Sequence, residues 1–380
     1  MWASAPGPVK RADRGFLSCS IDGAARGVVC SHRLLEDRHA GGRRRHGAAL
    51  ATIAVAVLAL PAGARALVVK DNLYGVKAMS ASEAWAVGNF GSIYHTVDAG
   101  KTWETRDSGT KVPLFGIDFA DAEHGWIVGK SSTILATADG GKTWKPQKSV
   151  IPPEKHLFNV RAIDARTVWV VGDWGAIATT HDGGATWEDR SLGHDVVLFA
   201  VSFPDAQHGF IAGEFGTLLA TADGGQSWEK RPVGTEKTLF GVSFETPEKG
   251  WAVGIDGLIL RTRDGGQTWE VQHGALAVGS VEELGFLETL KNPGLYDVRM
   301  AGRYGVVVGD TGNLMTTADG GENWTARELP EKQRLVWLRG VSLLPDGSAG
   351  FAVGAGGFMA AIDHGEIVLP ANGRRPAAGL

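Results

Sequence analysis

Seven near-copies of one unit fill most of this 380-residue chain, and a repeat of this kind constrains the fold more than any other feature. The unit reads W-x-V-G-x-x-G followed by T-x-D-x-G-x-x-W. Copies start at Trp85, Trp126, Trp169, Phe210, Trp251, Val306 and Phe351, spaced by 41, 43, 41, 41, 55 and 45 residues. The seventh keeps its first half and decays after Asp363. In the second unit, Leu114–Phe119, Gly125–Gly129, Thr133–Thr137 and Thr143–Gln147 each read as a short strand, with a Gly-bearing hairpin turn between the second and third. No 3.6-residue apolar period appears, which excludes a helical solenoid. One four-stranded sheet cannot bury both of its faces, so neighbouring sheets must stack and the ring must close. The expectation is an all-β, seven-bladed β-propeller with four antiparallel strands per blade over residues 67–370. The 54 glycines, about twice the usual share, fit many tight turns, and 43% hydrophobic residues exclude wholesale disorder.

Residues 1–66 read as an N-terminal extension plus signal peptide. Arg43-Arg44-Arg45 precedes an apolar stretch at 48–60, and Ala64-x-Ala66 offers a cleavage site. That stretch is shorter than the roughly 20 residues a membrane-spanning helix needs, though an uncleaved anchor is the competing reading. The 41 residues in front are more than a signal peptide requires and point to a translation start nearer Val28 or Leu34. Residues 1–66 hold 10 of the 38 basic and 4 of the 42 acidic residues, so the remainder carries a formal charge of −10 against −4 for the whole chain. Both cysteines, Cys19 and Cys30, lie in this segment, leaving the mature chain without disulfides or Cys-ligated metal. Residues 371–380 read as a tail. No general basic footprint for nucleic acid is present.

The second half of the unit places Asp98, Asp139, Asp182, Asp223, Asp264 and Asp319 in the turn between the third and fourth strands, with Trp103, Trp144, Trp187, Trp228, Trp269 and Trp324 five residues on. A carboxylate here can accept hydrogen bonds from turn N–H groups, and the indole can pack beneath. Six identical copies argue for scaffold, since one active site needs one copy. The histidines show no metal-ligand spacing, and no phosphate-binding loop or nucleophile elbow occurs. No catalytic constellation, cofactor site or metal site is predicted.

This box, one per blade, resembles the Asp-box or BNR repeat of sialidases and other propellers. The longer unit resembles the Ycf48/HCF136 family of photosystem II assembly and stability factors over all of residues 67–370. The resemblance implies a lumenal or periplasmic, non-enzymatic protein bound to membrane-protein partners. The function expected is therefore an exported, monomeric scaffold holding a membrane-protein client during assembly. A periplasmic accessory of an envelope transporter complex and a sialidase-like glycoside hydrolase are the alternatives. The hydrolase needs a nucleophilic Tyr, yet of Tyr74, Tyr94, Tyr296 and Tyr304 the first and third occupy a repeat position filled elsewhere by Phe115, Phe158, Phe199 and Phe240.

Partner contacts are sought where the repeat breaks. The turn between strands two and three varies at its tip through Phe90, Ser131, Trp174, Phe215, Asp256, Thr311 and Gly356. Phe90, Trp174 and Phe215 read equally as interface residues or as side chains folded onto their own blades. The blade-to-blade links are basic, with Arg190, Lys230 and Arg231 among them, which suits an acidic segment or simple solubility. The fifth link is about a dozen residues longer and carries Val281, Leu284, Leu287 and Leu290 at amphipathic-helix spacing. Leu67–Lys70 is expected to pair beside Glu366–Leu369 and close the ring.

Overall fold

The computed structural model describes residues 69–272 and 293–369 in full, and the backbone of Leu17–Ile21 and Val28–His32. Those two strands pair antiparallel as a hairpin with Cys19 opposite Cys30 in the register. The signal-peptide features at 43–66, the predicted helix at 280–290 and the tail at 371–380 lie outside the described residues.

Between Leu73 and Val368 the chain forms seven four-stranded antiparallel sheets, each from one continuous stretch of sequence. The innermost strands are Leu73–Ala78, Leu114–Phe119, Leu157–Ala162, Leu198–Ser202, Leu239–Phe244, Leu295–Ala301 and Leu338–Leu343. Each lies against the innermost strand of the next blade, and Leu338–Leu343 lies against Leu73–Ala78, so the ring is closed. Burial falls from the centre outward. Second strands such as Val168–Gly172 are buried at every position because a neighbouring sheet covers each face, whereas outer strands such as Glu188–Asp189 are exposed. The second blade differs from expectation at its rim: its third strand is Ile134–Thr137 and its fourth only Lys145–Pro146. Residues 138–144 are held in the box turn instead of the ladder.

That turn is built alike six times. In the third blade Thr180 Oγ1 donates to Asp182 Oδ1 at 2.8 Å and accepts from the Gly184 N–H at 2.8 Å. Thr186 donates its N–H to Asp182 Oδ1 at 2.9 Å and its hydroxyl to Oδ2 at 2.7 Å. Asn323 replaces Thr in the sixth box and donates to Asp319 Oδ2 at 2.9 Å. With these donors around it, the Asp182 carboxyl is held down at about 2, the Thr186 backbone N–H contributing most.

The box tryptophans do more than sit beneath their own turns, because each joins the core cluster of the blade before it. Trp144 meets Trp85 edge-on at 6.0 Å, Trp228 meets Trp169 at 5.6 Å and Trp103 meets Phe351 at 6.4 Å. Trp187 shares a core with Trp126, Trp269 with Phe210 and Trp324 with Trp251. The box glycine completes the joint: a Cβ on Gly141 would collide with the Trp85 indole, and its φ is +76°. Only the seam between blades six and seven lacks this pairing. The sixth unit begins with Val306 and the seventh has no box Trp, so the two partners are missing together. Small aliphatics fill that seam, including Val306, Leu329 and Ile362, and Arg327 reaches Glu366 at 2.6 Å across it.

Of the stretch expected to close the ring, Leu67 and Val68 lie outside the described residues. Val69 and Lys70 belong to no strand, and the sheet containing Glu366–Val368 ends with that strand among the described residues. The closing contact repeats the one used at other links, where the turn between strands two and three donates to a carbonyl of the segment entering the next blade. Gly175 binds Val196 at 2.6 Å, Gly216 binds Lys237 at 3.1 Å, and Gly357 binds Asp71 at 2.7 Å. Gly356 adds a bond to Asn72 Oδ1 at 3.0 Å. Five of the other six links carry this bond, from Ser132, Gly175, Gly216, Gly257 and Gly312, so the closing link is fixed like its neighbours.

Two outcomes follow from the joint and the box. Trp251→Ala, at a fully buried position, lowers unfolding free energy by about 3–5 kcal/mol in guanidinium titration. The Asp182 carboxyl titrates below its ordinary 3.8, so its contribution is complete above that value and is lost as pH falls towards about 2. Thermal melts of Asp182→Asn and the parent therefore differ most near neutrality, and the gap narrows steadily as the pH is lowered through this window.

Candidate functional site

Two places in the ring depart from the demands of packing, its central channel and one of its faces. The channel is shaped by a β-bulge that recurs in every innermost strand. In the first blade Leu73 pairs with Gly88 and Gly75 with Val87, which leaves Tyr74 as the extra residue. The same slip falls on Phe115, Phe158, Phe199, Phe240, Tyr296 and Arg339. A bulge re-aims its side chain, and here all seven line one central cavity of about 540 Å³. The aromatic members touch in sequence: Tyr74–Phe115 at 5.4 Å, Phe115–Phe158 at 5.5 Å, Phe158–Phe199 at 5.8 Å, Phe199–Phe240 at 5.0 Å and Phe240–Tyr296 at 5.3 Å. Arg339 lies over the Tyr296 ring at 4.2 Å, and Trp337 stacks on Tyr74 at 5.6 Å. Six aromatic rings and one guanidinium thus form a collar. Burial, with a hydrogen bond to Asp310, pushes the Tyr296 hydroxyl up to about 12, so Tyr296 stays a neutral phenol at physiological pH.

Three residues further along each strand, roughly 10 Å deeper, is a polar ring of Lys77, Asp118, Arg161, Ser202, Ser243, Arg299 and Ser342. Four of its members staple one blade to the next. Asp118 accepts from the Ala162 N–H at 3.0 Å, Ser202 from Phe244 at 3.0 Å, Ser243 from Met300 at 3.2 Å and Ser342 from Ala78 at 3.1 Å. Asp118 is also paired with Lys77 at 2.6 Å and lies 3.6 Å from Arg161. Burial pushes its carboxyl up, but these two cations outweigh that and hold it below the usual range. Asp297 has the opposite balance. Burial raises its carboxyl despite Arg299 at 3.6 Å and a bond from the Val341 N–H.

The face carries the turns between strands two and three. Every tip residue there has a left-handed backbone: φ is 58° at Phe90, 54° at Trp174, 54° at Phe215, 60° at Asp256 and 52° at Thr311. This conformation suits Gly, which the seventh blade supplies at Gly356, and bulky residues adopt it at a cost. Phe90, Trp174 and Phe215 are nonetheless 69%, 55% and 66% exposed, so none of them is folded onto its own blade. Trp174 and Phe215 stand on adjacent blades and Phe90 two blades before. Arg190 and Arg231 are at the outer edge, where each is tied to a carboxylate of its own rim strand, Glu188 at 2.8 Å and Glu229 at 3.2 Å. Lys230 is exposed. His124 and His208 each rest on the carboxylate three residues earlier, Asp121 and Asp205.

Sequence reasoning located the tips but missed the collar. Its signal was present as the pair Leu-aromatic opening six innermost strands and Leu338-Arg339 opening the seventh. The bulge that turns this position inward leaves no mark in composition.

A family model described as Photosynthesis system II assembly factor YCF48 matches residues 107–196, 187–270 and 232–287. A solved structure described as YCF48 bound to D1 peptide is similar with a TM-score of 0.61 and 20% identity, over 80% of this chain and 94% of that one. YCF48 from Cyanidioschyzon merolae is similar with a TM-score of 0.61 and 19% identity, over 80% of this chain and 98% of that one. A GH74 enzyme from Niastella koreensis gives a TM-score of 0.47 at 11% identity, over 78% and 65%. Among curated proteins no match is found.

The backbone at the tips makes a direct prediction. Phe215→Gly removes an exposed ring and left-handed strain at once, so its stability is unchanged or raised by up to about 1 kcal/mol in chemical denaturation. A buried, packed Phe would lose several times that.

Proposed function

Since the chain belongs to the YCF48 photosystem II assembly-factor family of BNR-repeat β-propellers, we propose that it is a non-enzymatic scaffold that holds an extended segment of a membrane-protein client during assembly. The observation that carries this reading is the trio Phe90, Trp174 and Phe215, large apolar rings held in solvent on strained turns of one face. Isolated exposed apolar residues are ordinary, but aromatics at positions that favour Gly are not explained by folding. Aromatic anchors dominate interface energetics, and a fixed turn presents them with little ordering cost.

Support for a peptide as the bound species comes from the relative described as YCF48 bound to D1 peptide. Exposed Lys230 would add attraction for acidic residues flanking the bound segment. Arg190 and Arg231, engaged with Glu188 and Glu229, would contribute only on exchanging those partners. An exported location, periplasmic or lumenal, belongs to the same proposal and rests on the basic run, apolar stretch and cleavage site of residues 43–66.

Crosslinking of the tagged protein in its own cells, followed by mass spectrometry, tests both the role and the client. The parent is expected to recover subunits of a nascent membrane complex. The variant with Phe90, Trp174 and Phe215 all changed to Ala is expected to lose at least tenfold of that recovery while melting like the parent. Undiminished recovery of every partner by this variant refutes the reading.

A further inference from the structure

We propose that the central channel is a second binding site, distinct from the turn tips that surround its mouth, for a small planar carboxylate, with Arg339 as its anion anchor and the aromatic collar as its walls. The inference goes beyond the client-holding role and does not depend on it. Its starting point is the single break in the collar. Six blades place Tyr or Phe at the bulge, and the seventh places a guanidinium there. Packing does not ask for that exchange, because six neighbouring copies solve the same geometry with an aromatic ring.

Arg339 lies close enough to Asp297 to feel its charge, but the two form no direct ion pair. The guanidinium lies flat over Tyr296 and forms no ion pair among the described residues, so its outer edge is left for a ligand. The other titratable groups lining the channel are Lys77, Arg161 and Arg299 against Asp118, Asp121 and Asp297. Asp118 is already shared by Lys77 and Arg161, and Asp121 is held by His124. Asp297 is the remaining carboxylate near Arg339, and it is already engaged by Arg299 at 3.6 Å and by the Val341 and Val298 N–H groups. Deeper in, Arg161 Nε is buried without a partner. The channel therefore has cationic capacity to spare in a chain whose formal charge is −4.

Shape selects the rest of the ligand. A cavity near 540 Å³ falls within the range of small-molecule sites. Its collar is a continuous run of ring faces and edges, neighbouring centroids 5.0–5.8 Å apart, a surface that accepts a flat apolar body by stacking. A planar guanidinium binds a carboxylate through two parallel N–H donors, so body and head group are recognised together. An anion without a body would meet Arg339 but forgo the walls, and a neutral body would leave the cation unpaired.

Isothermal titration calorimetry on the full chain separates these contributions. The probes are 2-naphthoate, the isosteric neutral 2-naphthamide, and inorganic phosphate. Saturable one-to-one binding of 2-naphthoate is expected, with the other two at least tenfold weaker. Arg339→Gln is expected to weaken 2-naphthoate by at least tenfold. Arg339→Phe restores the residue class of the other six blades, so it keeps the fold and should lose the ligand equally, with melting temperature as the check. The triple Ala variant of Phe90, Trp174 and Phe215 should bind 2-naphthoate like the parent, so failure at the turn face and failure in the channel are read independently. Absence of saturable binding, or equal binding by the parent and both Arg339 variants, overturns the proposal.

Discussion

The ring depends on one joint, the packing of an indole from the rim of each blade onto a large side chain in the second strand of the blade before. Trp228 on Trp169 and Trp144 on Trp85 are its plainest cases, with centroids 5.6 and 6.0 Å apart. The box turn exists to aim that indole. Asp182 gathers the Thr180 hydroxyl, the Thr186 N–H and the Thr186 hydroxyl onto one carboxylate, and the equivalent turn at Asp139 lets Gly141 approach the Trp85 ring. Removing either partner leaves the other only its remaining cluster contacts, such as Phe119 beside Trp85 and Trp144. The seam between blades six and seven shows this coupling, since Val306 and the absent box Trp of the seventh unit occur together, and aliphatic packing with the Arg327–Glu366 pair takes over.

Closure without an exchanged strand follows from the same economy of repeated contacts. Five of the other six links are fixed by a bond from the preceding turn, and Gly357 to Asp71 is one more instance. A ring closed by side-chain packing and link bonds asks nothing special of its terminal segments. It also leaves the innermost strands to be set by their bulges, and the bulges decide what the channel contains. The collar is thus a by-product of the fold at six positions and a departure from it at one.

How much was legible in the sequence divides along this line. Blade number, strand count and the placement of the box could be read because Gly, Asp and Trp recur at fixed spacing, each for a physical reason. The fourth strand was overestimated at Thr143–Gln147, since Thr143 looks like a strand residue until its hydroxyl and N–H are seen bound to Asp139. Leu67–Lys70 was expected to pair beside Glu366–Leu369; Val69 and Lys70 lie in no strand, and the Gly357–Asp71 bond that holds this link is a backbone contact with no residue signature. The link cations were visible as a count. That Arg190 and Arg231 are held by Glu188 and Glu229 depends on spacing across a two-residue strand, which a count does not convey.

Tips and collar also illustrate why function gathers at departures in a repeat. Where seven blades face one packing problem, a residue shared by all of them answers to that problem. A residue that differs in one or three blades is released from it, and what keeps it there must act elsewhere. Phe215 at a φ of 54° carries a backbone cost that Gly356 avoids at the matching position. Arg339 forgoes the ring contact that Phe199 makes with both of its neighbours. In both cases local stability is given up at a position where the fold itself supplies the better residue, and both side chains are left open, one pointing to solvent and one to the channel. Binding is the interaction proposed to offset such losses, and the collar lies at the same end of the ring as the tips, with Tyr74 bonded to Asn89 and Tyr296 to Asp310 in the turns themselves.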